Sequence, residues 1–169
     1  SHSVNVYVFA MALGRQVLPT EAVRGDFGMG ALLHDVGKSR VDPKVLNHPG
    51  RFSPEQLAHM RQHPLFSDEI LKEAGCSDLV RDMARHHHER LEGGGYPDNL
   101  KGRQISREVR ILTIADVFDA LTTQRVYKNA IPTFDALVMM RDTMQGHFDP
   151  ELFGRFVRML GQARAKQAG

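Results

Sequence analysis

The sequence predicts an all-α fold, a single helical-bundle domain. Three observations carry this. Apolar residues recur at three- and four-residue spacing along most of the chain. Ser, Thr or Asp residues, twice followed by Pro, stand where these periodic segments begin. No alternating run bounded by hairpin signals interrupts them. Together they give about seven helices.

In the first segment Val4, Val8, Met11 and Ala12 share a face, and Leu18 closes the run before Pro19. Val4, Val6 and Val8 also alternate, but the run is longer than an ordinary strand. Thr20-Glu21 opens a second segment through Phe27, Ala31 and Leu32 to His34 and Asp35, and Gly37 ends it. Ser53-Pro54-Glu55-Gln56 has the capping-box pattern with Pro at the first helical position. This third helix carries Leu57 and Met60 and ends at His63, where Pro64 interrupts it; a further set of turns with Ile70 and Leu71 ends at Gly75. Ser77 caps a helix with Leu79, Val80, Met83 and Ala84 that leads into His86-His87-His88. Residues 92–101 form a loop rich in Gly, Pro and Asn. Ser106 caps a long apolar helix through Val109, Leu112, Ala115, Asp116 and Asp119. Thr133 and Asp149 cap the last two helices, the second with Pro150 at its first position, and 163–169 read as a frayed tail.

Composition narrows the function. The chain has 169 residues, 41% apolar and 25% charged, which suits one domain over 1–169 with a real core. Lys+Arg is 22 against 20 Asp+Glu, a balance that argues against binding a nucleic-acid polymer or a membrane surface. No apolar run approaches the ~20 residues that span a bilayer, and no signal peptide stands at the start. One cysteine, Cys76, excludes a disulfide framework or thiolate metal site within the chain and makes the cytoplasm the expected compartment.

Nine histidines are many for such a chain, and they cluster. His34 adjoins Asp35 in His34-Asp35-Val36-Gly37-Lys38. Gly37 permits a local distortion there. Imidazole and carboxylate together suit Fe, Mn, Ni or Zn better than Ca or Mg. A His–Asp pair acquires meaning only with distant partners, and His2, His63, His87, His88 and Asp116 supply them. Asp116 lies inside the most apolar helix, where a carboxylate is costly unless paired, hydrogen-bonded or metal-bound.

These residues fall in motifs: HDVGK (34–38), HPG (48–50), His63-Pro64, HHERLEGGGYP (87–97) and ADVFDALTTQRVYK (115–128). From His2-Ser3 to about Leu160 the chain resembles the HD-GYP phosphodiesterases, a bacterial branch of the HD metal-dependent phosphohydrolases. The resemblance implies a helical bundle of the HD type. It implies His2, His34, Asp35 and Asp116 around one ion and His63, His87 and His88 around a second, with Asp35 bridging. The cofactors would be two divalent transition-metal ions, Fe or Mn first, with Ni, Co or Zn as alternatives. His48, His59, His86 and His147 fall outside the set as surface or structural histidines. A third ion is not expected. In some relatives a glutamate one helical turn before the first ligand histidine helps to hold one, and the chain starts at Ser1.

The activity implied is hydrolysis of cyclic di-GMP to the linear dinucleotide or GMP by a two-metal hydroxide mechanism, in a bacterial cytoplasm. Asp35 is catalytic as the bridge, and Lys38 is the candidate for assisting the departing 3′-oxygen. Gly94, Gly95, Tyr96 and Pro97, with Arg125 and Lys128, are the substrate-binding candidates. The Gly-Gly-Gly-Tyr-Pro stretch has other readings, a docking surface for GGDEF-domain proteins or simply a tight loop. Glu92 stands where the family usually has Asp, and Val126 where proline is more usual. The alternatives are a phosphodiesterase for cyclic GMP-AMP and a catalytically weak nucleotide sensor or GGDEF-docking module. A homodimer and an upstream sensory or receiver domain are compatible with the pattern.

Overall fold

The structure, a computed structural model, describes residues 1–124 and 129–167. Among them are nine α-helices and no strand: α1 (His2–Val17), α2 (Glu21–Leu33), α3 (Pro43–Leu46), α4 (Pro54–Met60), α5 (His63–Glu73), α6 (Asp78–His86), α7 (Arg107–Thr122), α8 (Thr133–Thr143) and α9 (Pro150–Gln167). No helix is long and apolar enough to cross a membrane among the described residues.

Helix α7 is the axis. Val109, Ile111, Leu112, Ile114, Ala115, Phe118 and Leu121 are all buried, so the helix is apolar around its whole circumference. A helix of that kind lies inside a bundle. Val6, Ala10 and Leu13 of α1, Phe27 and Ala31 of α2, Met83 of α6, Ala136 and Met140 of α8, and Leu152 and Phe156 of α9 join it in one core. Leu71 of α5 packs with Val80 and Ala84 of α6 in a second, smaller cluster.

Local signals set most helix starts. Ser53 and Gln56 form the reciprocal capping box of α4. Ser77 and Ser106 accept from the Val80 and Val109 amides. Asp149 accepts from the Glu151 and Leu152 amides ahead of α9.

Four expectations need correction. The helices number nine among the described residues rather than about seven. Asp42 caps the single turn of α3, and 53–75 divides into α4 and α5. His63 does not end the third helix but opens α5, because Pro64 sits in the first turn, where its missing N–H costs nothing. Thr133 is the first residue of α8, behind Pro132, rather than its cap. The tail is helical as far as Gln167, in keeping with its Ala, Arg, Lys and Gln content.

Helix α2 stops at Leu33, and a 3-10 turn, Val36–Arg40, follows His34 and Asp35. Gly37 serves this turn through close approach. A Cβ there would run into the His63 carbonyl oxygen and the Ser67 amide of α5. The Gly37 amide donates to Ser67 Oγ at 2.8 Å, and that hydroxyl donates to the His34 carbonyl at 3.0 Å. The turn is thus pressed onto the start of α5.

The segment between α6 and α7 has no long regular element, and buried charge holds it instead. Glu89, 1% exposed, accepts from the Asp98 amide at 2.7 Å and the Leu100 amide at 3.0 Å. The Asp98 carboxylate takes two bonds from Arg85, at 2.7 and 3.0 Å, and contacts His86 Nε2 at 2.8 Å.

Two predictions follow from this packing. Gly37→Ala would have to displace the α5 backbone at His63 and Ser67 as well as the Ser67 hydroxyl, so it should cost at least about 2 kcal/mol, the range of overpacking. Thermal denaturation would read it as a fall of roughly 2–4 °C per kcal/mol, and an unchanged Tm would refute the close-approach account. The hydrogen bonds from Arg85 hold the Asp98 carboxyl down to about 2 from its ordinary 3.8. Its contribution to stability is therefore complete above that ordinary value and lost as pH falls through about 2. NMR titration should find this midpoint, and Arg85→Ala should return it towards 3.8.

Candidate metal centre

Seven side chains predicted as ligands converge from the starts of α1 and α5, from the residues just beyond α2 and α6, and from the middle of α7. They form two groups, His2 with His34 and Asp116, and Asp35 with His63, His87 and His88. The ligand atoms within each group lie within 4.8 Å of one another.

Helix ends aim three of the rings. His34 Nδ1 donates to the Ala31 carbonyl at 2.8 Å, His63 Nδ1 to Met60 at 2.7 Å and His87 Nδ1 to Ala84 at 2.9 Å. Each carbonyl belongs to the last turn of α2, α4 or α6, where carbonyls lack intrahelical partners. A carbonyl only accepts, so Nδ1 carries the hydrogen in each ring. In the neutral ring Nε2 then presents a bare lone pair to the centre.

Asp35 stands between the groups. Its Oδ1 lies 3.2 Å from His63 Nε2 and 3.5 Å from His87 Nε2. Its Oδ2 lies 3.6 Å from His2 Nε2 and 3.5 Å from His34 Nε2, and Lys38 Nζ donates to it. One oxygen therefore faces each group. Asp116 Oδ1 approaches His2 Nε2 at 3.0 Å and His34 Nε2 at 3.6 Å. His88 Nε2 faces His63 Nε2 at 3.2 Å.

The donor set fits metal ions. His34 Nε2, His87 Nε2 and Asp35 Oδ1 are buried with no hydrogen-bond partner. Buried polar atoms in native proteins are almost always satisfied. Lone pairs converging on lone pairs are satisfied by cations, and nitrogen with carboxylate oxygen is the donor chemistry of transition metals. Burial would raise the Asp116 carboxyl, but the imidazoles of His2 and His34 beside it outweigh burial and hold the group well below the usual range. Burial likewise opposes ionisation of Asp35, and its contacts with His63 and His87 reverse that. Burial pushes His87 down and His88 well down, which keeps both rings unprotonated as ligands.

The Gly-rich loop is built onto the ligand segment. A Cβ on Gly95 would lie 2.5 Å from Glu89 Cα and 2.6 Å from the His88 carbonyl oxygen. Tyr96 stacks on His88, ring centroids 4.8 Å apart, and the Arg61 guanidinium sits over the Tyr96 ring, 5.1 Å from its centroid. Burial pushes the Tyr96 hydroxyl up to about 12. Gly94 takes φ +80°, and its amide donates to Asn99 Oδ1. Pro97 follows Tyr96 through a cis bond. Beside the second group opens a cavity of ≈ 250 Å³, lined in part by His88, Arg90, Tyr96, Thr113, Met144 and His147. A larger groove between α1 and α2, ≈ 640 Å³, contains no histidine.

The two remaining substrate candidates, Arg125 and Lys128, lie outside the described residues. His86 is a structural histidine, held between Asp82 at 2.7 Å and Asp98 at 2.8 Å. Sequence reasoning missed three supports. Glu89 holds the loop, Thr113 Oγ1 donates to the His87 carbonyl at 3.0 Å, and Asp119 meets His2 Nδ1 at 2.6 Å. Asp119 had a legible signal, since the argument for a buried carboxylate at Asp116 applies equally three residues later on the same face.

The HD domain family matches residues 2–152. A cyclic di-GMP phosphodiesterase of Pseudomonas aeruginosa is 40% identical over 162 residues, 95% of this chain and 39% of its own length. The 3′3′-cGAMP-specific phosphodiesterase 3 of Vibrio cholerae is 35% identical over 159 residues, 94% of this chain and 35% of its own. The chain thus spans well under half of either relative. Among solved structures, an HDG"Y"P protein from Bdellovibrio bacteriovorus superposes with a TM-score of 0.78 at 22% identity, covering 95% of this chain and 51% of that one, and supports the fold. Nearly the full length of the chain therefore belongs to the HD domain family, on the HD-GYP branch that its motifs resemble.

Proposed function

We propose that this domain is a metal-dependent phosphodiesterase that hydrolyses cyclic di-GMP to the linear dinucleotide or GMP. The observation that carries the reading is Asp35, which offers one oxygen to each of two histidine groups whose bare nitrogens point inward. That is the protein side of a binuclear site. Two divalent ions, Fe or Mn in our assignment with Ni, Co or Zn as alternatives, would supply Lewis acidity at the phosphoryl oxygens and a nucleophile at neutral pH.

The chain's own residues do the rest. His2, His34 and Asp116 would hold one ion, His63, His87 and His88 the other, with Asp35 offering an oxygen to each. Lys38 Nζ, paired with Asp35 and a third exposed, is the group we assign to hold a proton for the departing 3′-oxygen. Tyr96, stacked on His88 at the edge of the cavity, presents an aromatic face and a phenol that stays protonated, both suited to a nucleotide. Gly94, Gly95 and Pro97 shape that edge. Arg125 and Lys128 are assigned to substrate phosphate or guanine through the resemblance alone.

The packing of Gly95 and Tyr96 onto the ligand segment supports the substrate-side role of the loop over GGDEF docking. Cyclic GMP-AMP is a second reading of the substrate, favoured by the similarity to the Vibrio cholerae enzyme. Its phosphodiester geometry is shared with cyclic di-GMP. The complete ligand set weighs against a sensor without turnover. A bacterial cytoplasmic setting goes with this reading, and a homodimer is compatible with it.

Protein loaded anaerobically with Mn or Fe should convert cyclic di-GMP to linear dinucleotide or GMP on chromatography, and a chelator should stop it. Faster turnover of cyclic GMP-AMP would select the second substrate. No turnover of either with Fe, Mn, Ni or Co would move the assignment to a binding module. Asp35→Ala removes the anion shared by two cations, so at least one ion should leave and the rate should fall by orders of magnitude. Elemental analysis and circular dichroism on the folded variant check this, and two retained ions with a near-normal rate would sink the bridging role.

A further inference from the structure

His34, His63 and His87 are each aimed by a main-chain carbonyl, whereas His2 is aimed by a carboxylate. Asp119 of α7 meets His2 Nδ1 at 2.6 Å and is 1% exposed. Its other oxygen accepts from Asn5 Nδ2 at 2.9 Å and Thr123 Oγ1 at 2.8 Å. The carboxylate is thereby locked in rotation. Asn5 lies on α1 nearly one turn beyond His2, so Asp119 grips two successive points of the same helix.

His2 needs such a grip more than the other ligands. The side chain of His2 is 23% exposed while those of His34 and His87 are fully buried. A buried carboxylate is also a costly way to join two helices, since the amide and hydroxyl that meet it bring no compensating charge. Its placement against Nδ1 does what a carbonyl could not. It fixes the tautomer with the lone pair on Nε2, aims that nitrogen at the space shared with Asp116 and His34, and strengthens the imidazole as a donor by placing negative charge behind it.

We infer that Asp119 is a positioning residue for the first ion: acting through His2, it sets the affinity of the His2–His34–Asp116 site and leaves the Asp35–His63–His87–His88 site unaffected. Partners of this kind are worth roughly 10–100-fold in metal affinity. The inference rests on the metal-centre reading but not on the identity of the substrate.

Co(II) binding to the metal-free chain tests it, followed by d–d absorption and by calorimetry. Wild type should bind two ions. Asp119→Asn, nearly isosteric, should bind one as wild type does and the other roughly 10–100-fold more weakly. In a His2→Ala background the same substitution should cost no further affinity, because its route is already cut. Thr123→Val, which removes one restraint on the carboxylate, should weaken the same site by a smaller factor, and it decides the matter if Asp119→Asn does not fold. Two ions at wild-type affinity in the folded variants overturn the inference. So does equal weakening of both sites with a lowered Tm, which is what a simple staple between α1 and α7 would give. Wild type that takes up no Co(II) overturns the metal-centre reading, and this inference with it.

Discussion

Buried acceptors without donors govern this domain. Asp35 Oδ1, His34 Nε2 and His87 Nε2 are turned towards one another and away from water. Each buried polar atom left unsatisfied costs about 1–3 kcal/mol, so a soft framework would let the rings rotate out and find partners. The framework is not soft. Helix α7 is buried on every side and carries Asp116 into the cluster, and the turn after α2 is pressed onto α5 with no room for a Cβ at Gly37. Stability is concentrated where it holds the site in an arrangement that is unfavourable until a cation joins it, as is common at functional sites.

The same framework explains why the Gly-rich loop belongs to the metal centre. His87 and His88 leave α6 at its C-terminus, and the chain then turns back so that Gly95 rests on the backbone of His88 and Glu89. Tyr96 covers His88, and Glu89 ties the amides of Asp98 and Leu100. Ligand segment and loop are one folded unit, in which a change at Gly95 is felt first by the imidazole beneath it.

Much of this was legible from the sequence, and the rest has identifiable reasons. Caps at Ser53, Ser77, Ser106 and Asp149 were legible because the bonds that make them span two or three residues. The clustering of the seven side chains was legible because a carboxylate at Asp116 is out of place in an apolar helix and because the motifs are long. His63 was placed on the wrong side of a helix boundary because His-Pro reads equally well as a stop or a start. Gly37 was read as a helix stop that permits local distortion, since the close approach it allows depends on α5, 26 residues further on at His63. Glu89 and Asp119 were missed because their value comes from partners across the fold. Arg125 and Lys128 fall outside the described residues and rest on the motif alone.

The Nδ1 bonds of His34, His63 and His87 have a consequence for how the site tolerates change. Their acceptors are peptide carbonyls, which every amino acid supplies, so no point substitution at Ala31, Met60 or Ala84 deletes the group that steers the ring. Orientation at these three ligands is encoded in helix geometry and is a redundant message, readable whatever letter stands there. At His2 it is encoded in the single letter Asp119, which one nucleotide change can erase. A random walk through neighbouring sequences would therefore meet its losses of metal first at the His2 side of the centre, while the histidines steered by the carbonyls of α2, α4 and α6 kept their aim.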